Sequence, residues 1–287
     1  MISQVRQHPL KAIFGGTFDP PHFGHVKPVQ ALLDTLDIEE CELIPAHIPV
    51  HKNVSTAPAH RLQMTRLMAN TDARLFVNEI EIHRHLPSYT VNTLEELNRQ
   101  FDAHSLCFIM GLDSFMGLAD WFQPQRLFSQ CHIIVLVRSE PLEDSHAESK
   151  QNETLSCVQN LIANKRSATF NIGMLKNLPE RLRTLLPSNF HIQSAISNSE
   201  SSPSSNTQNT QSVDINGILR SSKCGELLFF ANDCIEVSSS ALRQSLGQPA
   251  TNIKNTDATY ASASLKQCMN EEVLDYIRKN KLYRSWD

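Results

Sequence analysis

Short apolar runs alternate with amphipathic stretches along the chain. The run KAIFGG (11–16) stops on two glycines, which predicts a strand followed by a turn. From about Gly24 to Leu36, the residues Val26, Val29, Leu32, Leu33 and Leu36 recur at helical spacing. CELIPA (41–46) predicts a second strand. Residues 57–70 predict a helix with Leu62, Leu67 and Met68 on one face, and RLFVNEI (74–80) a third strand. TVNTLEELNRQF (90–101) predicts a helix that Thr90 can cap. SLCFIMG (105–111), HIIVLVR (132–138) and ELLFFA (226–231) are further strands, the middle one apolar enough for burial on both faces. EEVLDYIRK (271–279) predicts an amphipathic helix. Such alternation implies parallel β-α-β units. The expected class is α/β, a Rossmann-like doubly wound parallel sheet, whose ligands bind outside the carboxyl ends of the strands.

Two stretches break the pattern. Residues 194–212, SAISNSESSPSSNTQNTQS, hold 15 uncharged polar residues in 19, eight of them serine. They cannot bury enough apolar area to offset their ordering entropy. The stretch 194–222 is therefore expected to be a disordered insertion, and 248–264, QPATNIKNTDATYASAS, a milder loop insertion. With 287 residues, the expectation is a single domain over 1–287 with a C-terminal helical segment.

Charge narrows the partners. Lys and Arg number 26 against 30 Asp and Glu, a net charge of −4. That argues against a broad nucleic-acid surface but leaves room for a small basic pocket. No apolar run reaches the roughly 18 residues needed to span a bilayer, and residues 1–14 lack a secretory pattern. The seven cysteines include no C-x-x-C, so reduced thiols in a cytoplasmic protein are expected, with Cys41, Cys107 and Cys131 in apolar runs. The sequence sets no oligomeric state.

The chemistry concentrates after the first strand, in Gly15-Gly16-Thr17-Phe18-Asp19-Pro20-Pro21-His22-Phe23-Gly24-His25. Two glycines let the backbone turn sharply, and their amides, with those of Thr17 and Phe18, can donate to phosphate oxygens. Asp19-Pro20-Pro21 stiffens the turn, and Pro28 is expected in the first turns of the helix, where a missing N–H matters least. His22 and His25 bracket a helix start that already favours anions. A half zinc site is the rival reading, but no third ligand stands nearby with metal spacing.

Chance occurrence of the whole string is negligible. It resembles the signature of the T/H-x-G-H nucleotidyltransferases, in the form carried by bacterial nicotinate-nucleotide adenylyltransferases. The likeness continues in Pro49-Val50-His51-Lys52, Pro87-Ser88-Tyr89-Thr90, Gly111-Leu112-Asp113-Ser114 with Trp121 beyond it, Val237-Ser238-Ser239-Ser240-Ala241-Leu242-Arg243, and Tyr276-Ile277 with Leu282-Tyr283. Departures are Ser240 for the usual Thr, Val237 for Ile and Lys281 for Gly.

The resemblance implies adenylyl transfer from ATP to nicotinate mononucleotide, giving deamido-NAD and pyrophosphate by direct in-line displacement, as in NAD biosynthesis. It implies His22, His25 and Arg243 as catalytic groups on the phosphates. Gly15, Gly16, Thr17, Phe18, Ser238, Ser239 and Ser240 would bind ATP. His51, Lys52, Tyr89, Thr90, Asp113 and Trp121 would bind the mononucleotide, with Tyr89 and Thr90 on its carboxylate and Trp121 stacked on its ring. A phosphate nearby would favour protonated His. Mg²⁺ would enter on the ATP phosphates rather than in a protein cage. The alternatives are another acceptor, nicotinamide mononucleotide or phosphopantetheine, and a non-catalytic nucleotide sensor. A dehydrogenase is disfavoured because G-x-G-x-x-G is absent from the first turn.

Overall fold

The computed structural model describes residues 7–50, 54, 56–84, 86–138, 167–171, 175, 178–194, 213–232, 237–247 and 262–283. Strands and helices follow in the order β1 (Leu10–Gly16), α1 (Phe23–Leu36), β2 (Cys41–Pro45), α2 (Pro58–Ala69), β3 (Leu75–Val77), α3 (Thr90–Gln100), β4 (Ser105–Gly111) and α4 (Leu112–Met116). Then come β5 (His132–Arg138), β6 (Ser167–Asn171), α5 (Glu180–Arg183), β7 (Asn189–Ser194), α6 (Ile215–Ser221), β8 (Leu227–Asn232), α7 (Ser239–Gly247), α8 (Ser262–Cys268) and α9 (Glu271–Lys279).

The strands form one eight-stranded sheet in the order β3-β2-β1-β4-β5-β8-β7-β6. The pairs β2/β3, β4/β5, β5/β8 and β7/β8 are parallel. This is the expected α/β class with one departure: β6 runs antiparallel to β7, pairing Thr169 with His191. The sequence reading gave neither β6 nor β7, because SATFN and NFHIQS mix polar and apolar residues without a clear run.

Contacts divide the chain into two compact units where the sequence expectation was a single domain. One unit comprises Met1–Ala12, Ala31–Glu39 and Leu94–Asp233, the other Ile13–Gln30, Glu40–Thr93 and Cys234–Asp287. In the first, Ile133, Ile134, Val135 and Leu227 to Ala231 are fully buried. Phe229 meets Phe115 and Phe190 edge-on, with ring centroids 5.3 and 5.4 Å away. Cys107 and Cys131 are core thiols there, and burial pushes Cys107 up to about 12, which leaves no thiolate for nucleophilic chemistry.

In the second unit, α2 starts with Pro58 at its first turn and buries Arg61, Leu62, Met64, Thr65, Met68 and Ala69. Helix α9 packs against it. Asn270 caps α9 by accepting from the Val273 amide at 3.2 Å, and its side-chain amide donates to the Leu67 carbonyl at 2.8 Å. Val273, Leu274 and Ile277 form the buried face of α9.

The expected disordered stretch 194–222 is corrected at both ends. Ser194 closes β7, and α6 occupies Ile215–Ser221. Asp214 caps α6, accepting from the Gly217 amide at 2.9 Å, and Ile215 and Leu219 are buried. The polar run next to it hid this short amphipathic turn from the sequence reading. Residues 195–212 and 248–261 lie outside the described residues, and 262–264 open α8. Among the described residues, no helix is long and apolar enough to cross a membrane.

Candidate active site

The loop leaving β1 carries the site, all of it within the second unit. Phe18 takes a left-handed conformation (φ 50°) and is 2% exposed. Its ring fills the space beside Gly16: a Cβ there would sit 2.8 Å from the Phe18 ring. Gly16 is thus required by Phe18 packing, and its carbonyl accepts from the Ala46 amide at 2.9 Å. Gly15 is exposed and Thr17 half-buried on the same turn.

His22 precedes α1 and His25 lies in its first turn. The His22 amide donates to His25 Nδ1 at 3.2 Å, and the His25 amide donates back to the His22 carbonyl at 2.8 Å. The two rings stack with centroids 3.7 Å apart, while Phe18 meets His25 edge-on at 5.3 Å. Because Nδ1 of His25 accepts, its neutral ring carries the proton on Nε2, a donor suited to a phosphate oxygen. Gly24 has a steric reason. A Cβ there would lie 2.8 Å from Val237 Cγ1 and 3.0 Å from His22 Nδ1. Pro28 stands six residues into α1 rather than at its very start, so the helix omits the bond that would end on the Gly24 carbonyl.

His22 is 4% exposed, its Nδ1 has no partner among the described residues, and burial lowers its pKa to about 3. With no phosphate beside it the ring is neutral. The unfolded imidazole takes up a proton below about 6.5, the folded one only near 3. Between those limits the unfolded state binds more protons, and stability falls as pH falls, by at most roughly 1.4 kcal/mol per pH unit. Thermal unfolding from pH 7 to pH 4 is expected to show a shallower decline for His22→Asn than for the wild type. Parallel curves would refute this origin.

The second half of the site comes from α7. Ser238 caps the helix, accepting from the Ala241 amide at 3.1 Å. Ser239 instead donates its hydroxyl to the Pro20 carbonyl at 2.9 Å. Arg243 donates to the Asp19 carbonyl at 2.6 Å and to Ser240 Oγ at 3.2 Å. The serine–arginine segment therefore docks on the loop that leads into His22. The three serines have three different partners, and only the first is a cap.

Sequence reasoning missed three supports. Tyr283 Oη donates to Asp19 Oδ1 at 2.8 Å, and burial raises the Tyr283 pKa. Arg61, 1% exposed, donates to the carbonyls of Thr56, Thr17, Ala46 and His47 at 2.6–3.1 Å. Burial draws its pKa down, while Asp19, Tyr283 and Glu81 pull it back up. Glu81 is buried with a raised pKa and accepts from the Thr93 hydroxyl at 2.6 Å, which in turn accepts from Arg84 at 3.0 Å. A charged residue on the apolar face of α2 was the one available signal for Arg61.

In the segment expected to meet the mononucleotide, Ser88 Oγ accepts from the His47 amide at 3.0 Å and the Ile48 amide at 3.4 Å, and the Ser88 amide returns a bond to the Ile48 carbonyl at 3.1 Å. The Tyr89 amide donates to the Pro87 carbonyl at 2.8 Å, and the Tyr89 carbonyl accepts from Asn92 and Thr93. Tyr89 thus holds the position before α3, and Thr90, expected as a cap, is its first residue. Of the two amides expected to meet a carboxylate, Thr90's heads the helix. His51 and Lys52 lie outside the described residues. Asp113 and Trp121 belong to the first unit. Asp113 sits in α4, and Trp121 is half-buried with its ring edge-on to Phe108 at 6.3 Å.

The donors gathered around the β1 loop (imidazole, guanidinium, hydroxyl and helix-start amides) suit phosphate oxygens. Among the described residues, no group of three or more His, Cys, Asp or Glu stands together to hold a metal ion.

Comparison with known proteins agrees with this chemistry. Residues 13–245 match the cytidylyltransferase-like family, and the chain belongs to that family of α/β nucleotidyltransferases. The individual relatives are more specific. A probable nicotinate-nucleotide adenylyltransferase of Pseudoalteromonas atlantica is 41% identical over 131 residues, 45% of this chain and 60% of the relative. Another, from Shewanella sp. (strain MR-4), is 35% identical over 170 residues, 56% of this chain and 79% of that protein. The chain spans 60–66% of the length of the first curated relatives it matches. The fold aligns with Plasmodium falciparum nicotinic acid mononucleotide adenylyltransferase complexed with NaAD at a TM-score of 0.55 and 17% identity, covering 96% of this chain and 98% of that one.

Proposed function

We propose that the protein transfers the adenylyl group of ATP to nicotinate mononucleotide, releasing pyrophosphate and forming deamido-NAD. The observation that carries this reading is the docking of α7 on the β1 loop through Ser239–Pro20 and Arg243–Asp19. It sets two helix starts, an Nε2–H imidazole and a guanidinium around one short turn, as a triphosphate requires. The family and the relatives' names support the acceptor.

A phosphate oxygen of the mononucleotide attacks the α-phosphorus of ATP, and the bond from that phosphorus to the bridging oxygen of the β-phosphate breaks. No covalent enzyme intermediate is needed, so the protein positions the reactants and stabilises charge. Amides of Gly15 to Phe18 and hydroxyls and amides of Ser238 to Ser240 bind the nucleotide phosphates. His25 donates to the oxygen that gains charge. His22, neutral, fixes the His25 tautomer through its amide. Arg243 reaches the leaving pyrophosphate. The Thr90 amide receives the nicotinate carboxylate, with Tyr89 beside it at the head of α3. Mg²⁺ bound with ATP supplies charge neutralisation at the phosphates.

A pyrophosphate-release assay with ATP and three acceptors tests this. Nicotinate mononucleotide is expected to exceed nicotinamide mononucleotide in kcat/KM by about tenfold or more, because a helix-start amide selects the carboxylate. Phosphopantetheine is expected to be inert. Preference for the amide would overturn the acceptor, and no release with any acceptor would favour a nucleotide sensor.

A further inference from the structure

We propose that Arg61 is a positioning residue that couples the nucleotide loop to the acceptor segment, so that occupancy of one stiffens the other; this rests on the reading of the site as one for nucleotide and acceptor. The buried guanidinium reaches both loops at once. One of its terminal nitrogens donates to Thr17, on the turn after β1, at 2.9 Å and to Ala46, just past β2, at 2.6 Å. The other donates to His47 at 3.0 Å, and Nε holds Thr56 at 3.1 Å. Four of its five N–H groups are thus spent on main-chain carbonyls from two separate connections, the turn after β1 and the segment between β2 and α2.

The chain of bonds continues beyond Arg61. The His47 and Ile48 amides hold Ser88, and Ser88 adjoins Tyr89 and the start of α3. Thr17 is thereby joined to the head of α3 through Arg61, His47 and Ser88. The planar fork fixes the spacing of Thr17, Ala46 and His47 in a way that a single ammonium cannot. In-line displacement depends on that spacing, because misplacement by about 1 Å can lower turnover roughly a hundredfold. No part of Arg61 need touch either substrate.

Hydrogen exchange and kinetics test this together. With the non-hydrolysable analogue α,β-methylene-ATP, the wild type is expected to slow exchange in peptides 44–50 and 86–93. Arg61→Lys, and Arg61→Met beside it, are expected to bind the analogue within about threefold of wild type yet lose that protection. Their kcat per folded molecule is expected to fall at least about tenfold. Ser88→Ala leaves Arg61 in place and is expected to retain protection at 44–50 while losing it at 86–93, which keeps the test decisive if the Arg61 variants fold poorly. Unchanged protection in these variants, or turnover per folded molecule within twofold of wild type, would overturn the proposal. A wild type that shows the coupled protection but adenylylates no pyridine mononucleotide would refute the acceptor reading and uphold the coupling. A wild type that binds the analogue without protecting 86–93 would refute the coupling alone.

Discussion

His25→Ala is expected to lower kcat by about two orders of magnitude or more, a loss of roughly 3 kcal/mol, as for removal of one donor to a developing oxyanion. The argument rests on the proton's location. Nδ1 of His25 accepts the His22 amide at 3.2 Å, so Nε2 carries the proton of the neutral ring. The side chain is only half-buried, and its truncation forfeits the bond from the His22 amide and ring contact with His22, Phe14 and Phe18. The fold is therefore expected to survive with Tm within a few degrees of wild type, and the KM for ATP to change less than kcat. Steady-state kinetics beside a thermal melt decide it. Turnover within threefold of wild type would remove His25 from the chemistry.

Arg243→Ala is expected to cost about 10- to 150-fold in kcat/KM for ATP, the range of one to two charge-assisted hydrogen bonds. Arg243→Lys is expected to recover little, since a point charge cannot hold both the Asp19 carbonyl and a phosphate. Ser240→Ala breaks only the 3.2 Å contact to Arg243 and is expected to cost no more than a few-fold. The contrast separates phosphate binding from helix bracing. If all three variants behave alike, Arg243 acts through α7 rather than on the nucleotide.

Much of the architecture could be read from hydrophobic spacing. The five apolar positions from Val26 to Leu36 are all 0–1% exposed, and the runs at 105–111 and 132–138 pair as parallel strands. Periodicity failed where segments are short or mixed: β3 is three residues where seven were expected, and β6, β7 and α6 escaped notice. The candidate phosphate-binding residues stood out in the sequence because the chemistry would need each by type and spacing. Their supports did not. The reach of Tyr283 to Asp19 spans 264 residues, and no local pattern encodes such a bond. The neutral state of His22 was equally hidden, since it comes from burial, which residue type and spacing do not report. Arg61 shows the general case: its composition is that of a surface cation, and its environment is that of the core.

The way the chain is parcelled also bears on how it is made. The unit that holds the phosphate loop draws on Ile13–Gln30, Glu40–Thr93 and Cys234–Asp287. Its first stretches leave the ribosome with Asp19, α1 and α2 while the segments that complete them are still unsynthesised. The face of α2 that receives α9, and the Asp19 carboxylate that meets Tyr283, await partners encoded some two hundred residues downstream. Native closure of this unit accordingly waits on the synthesis of Cys234–Asp287.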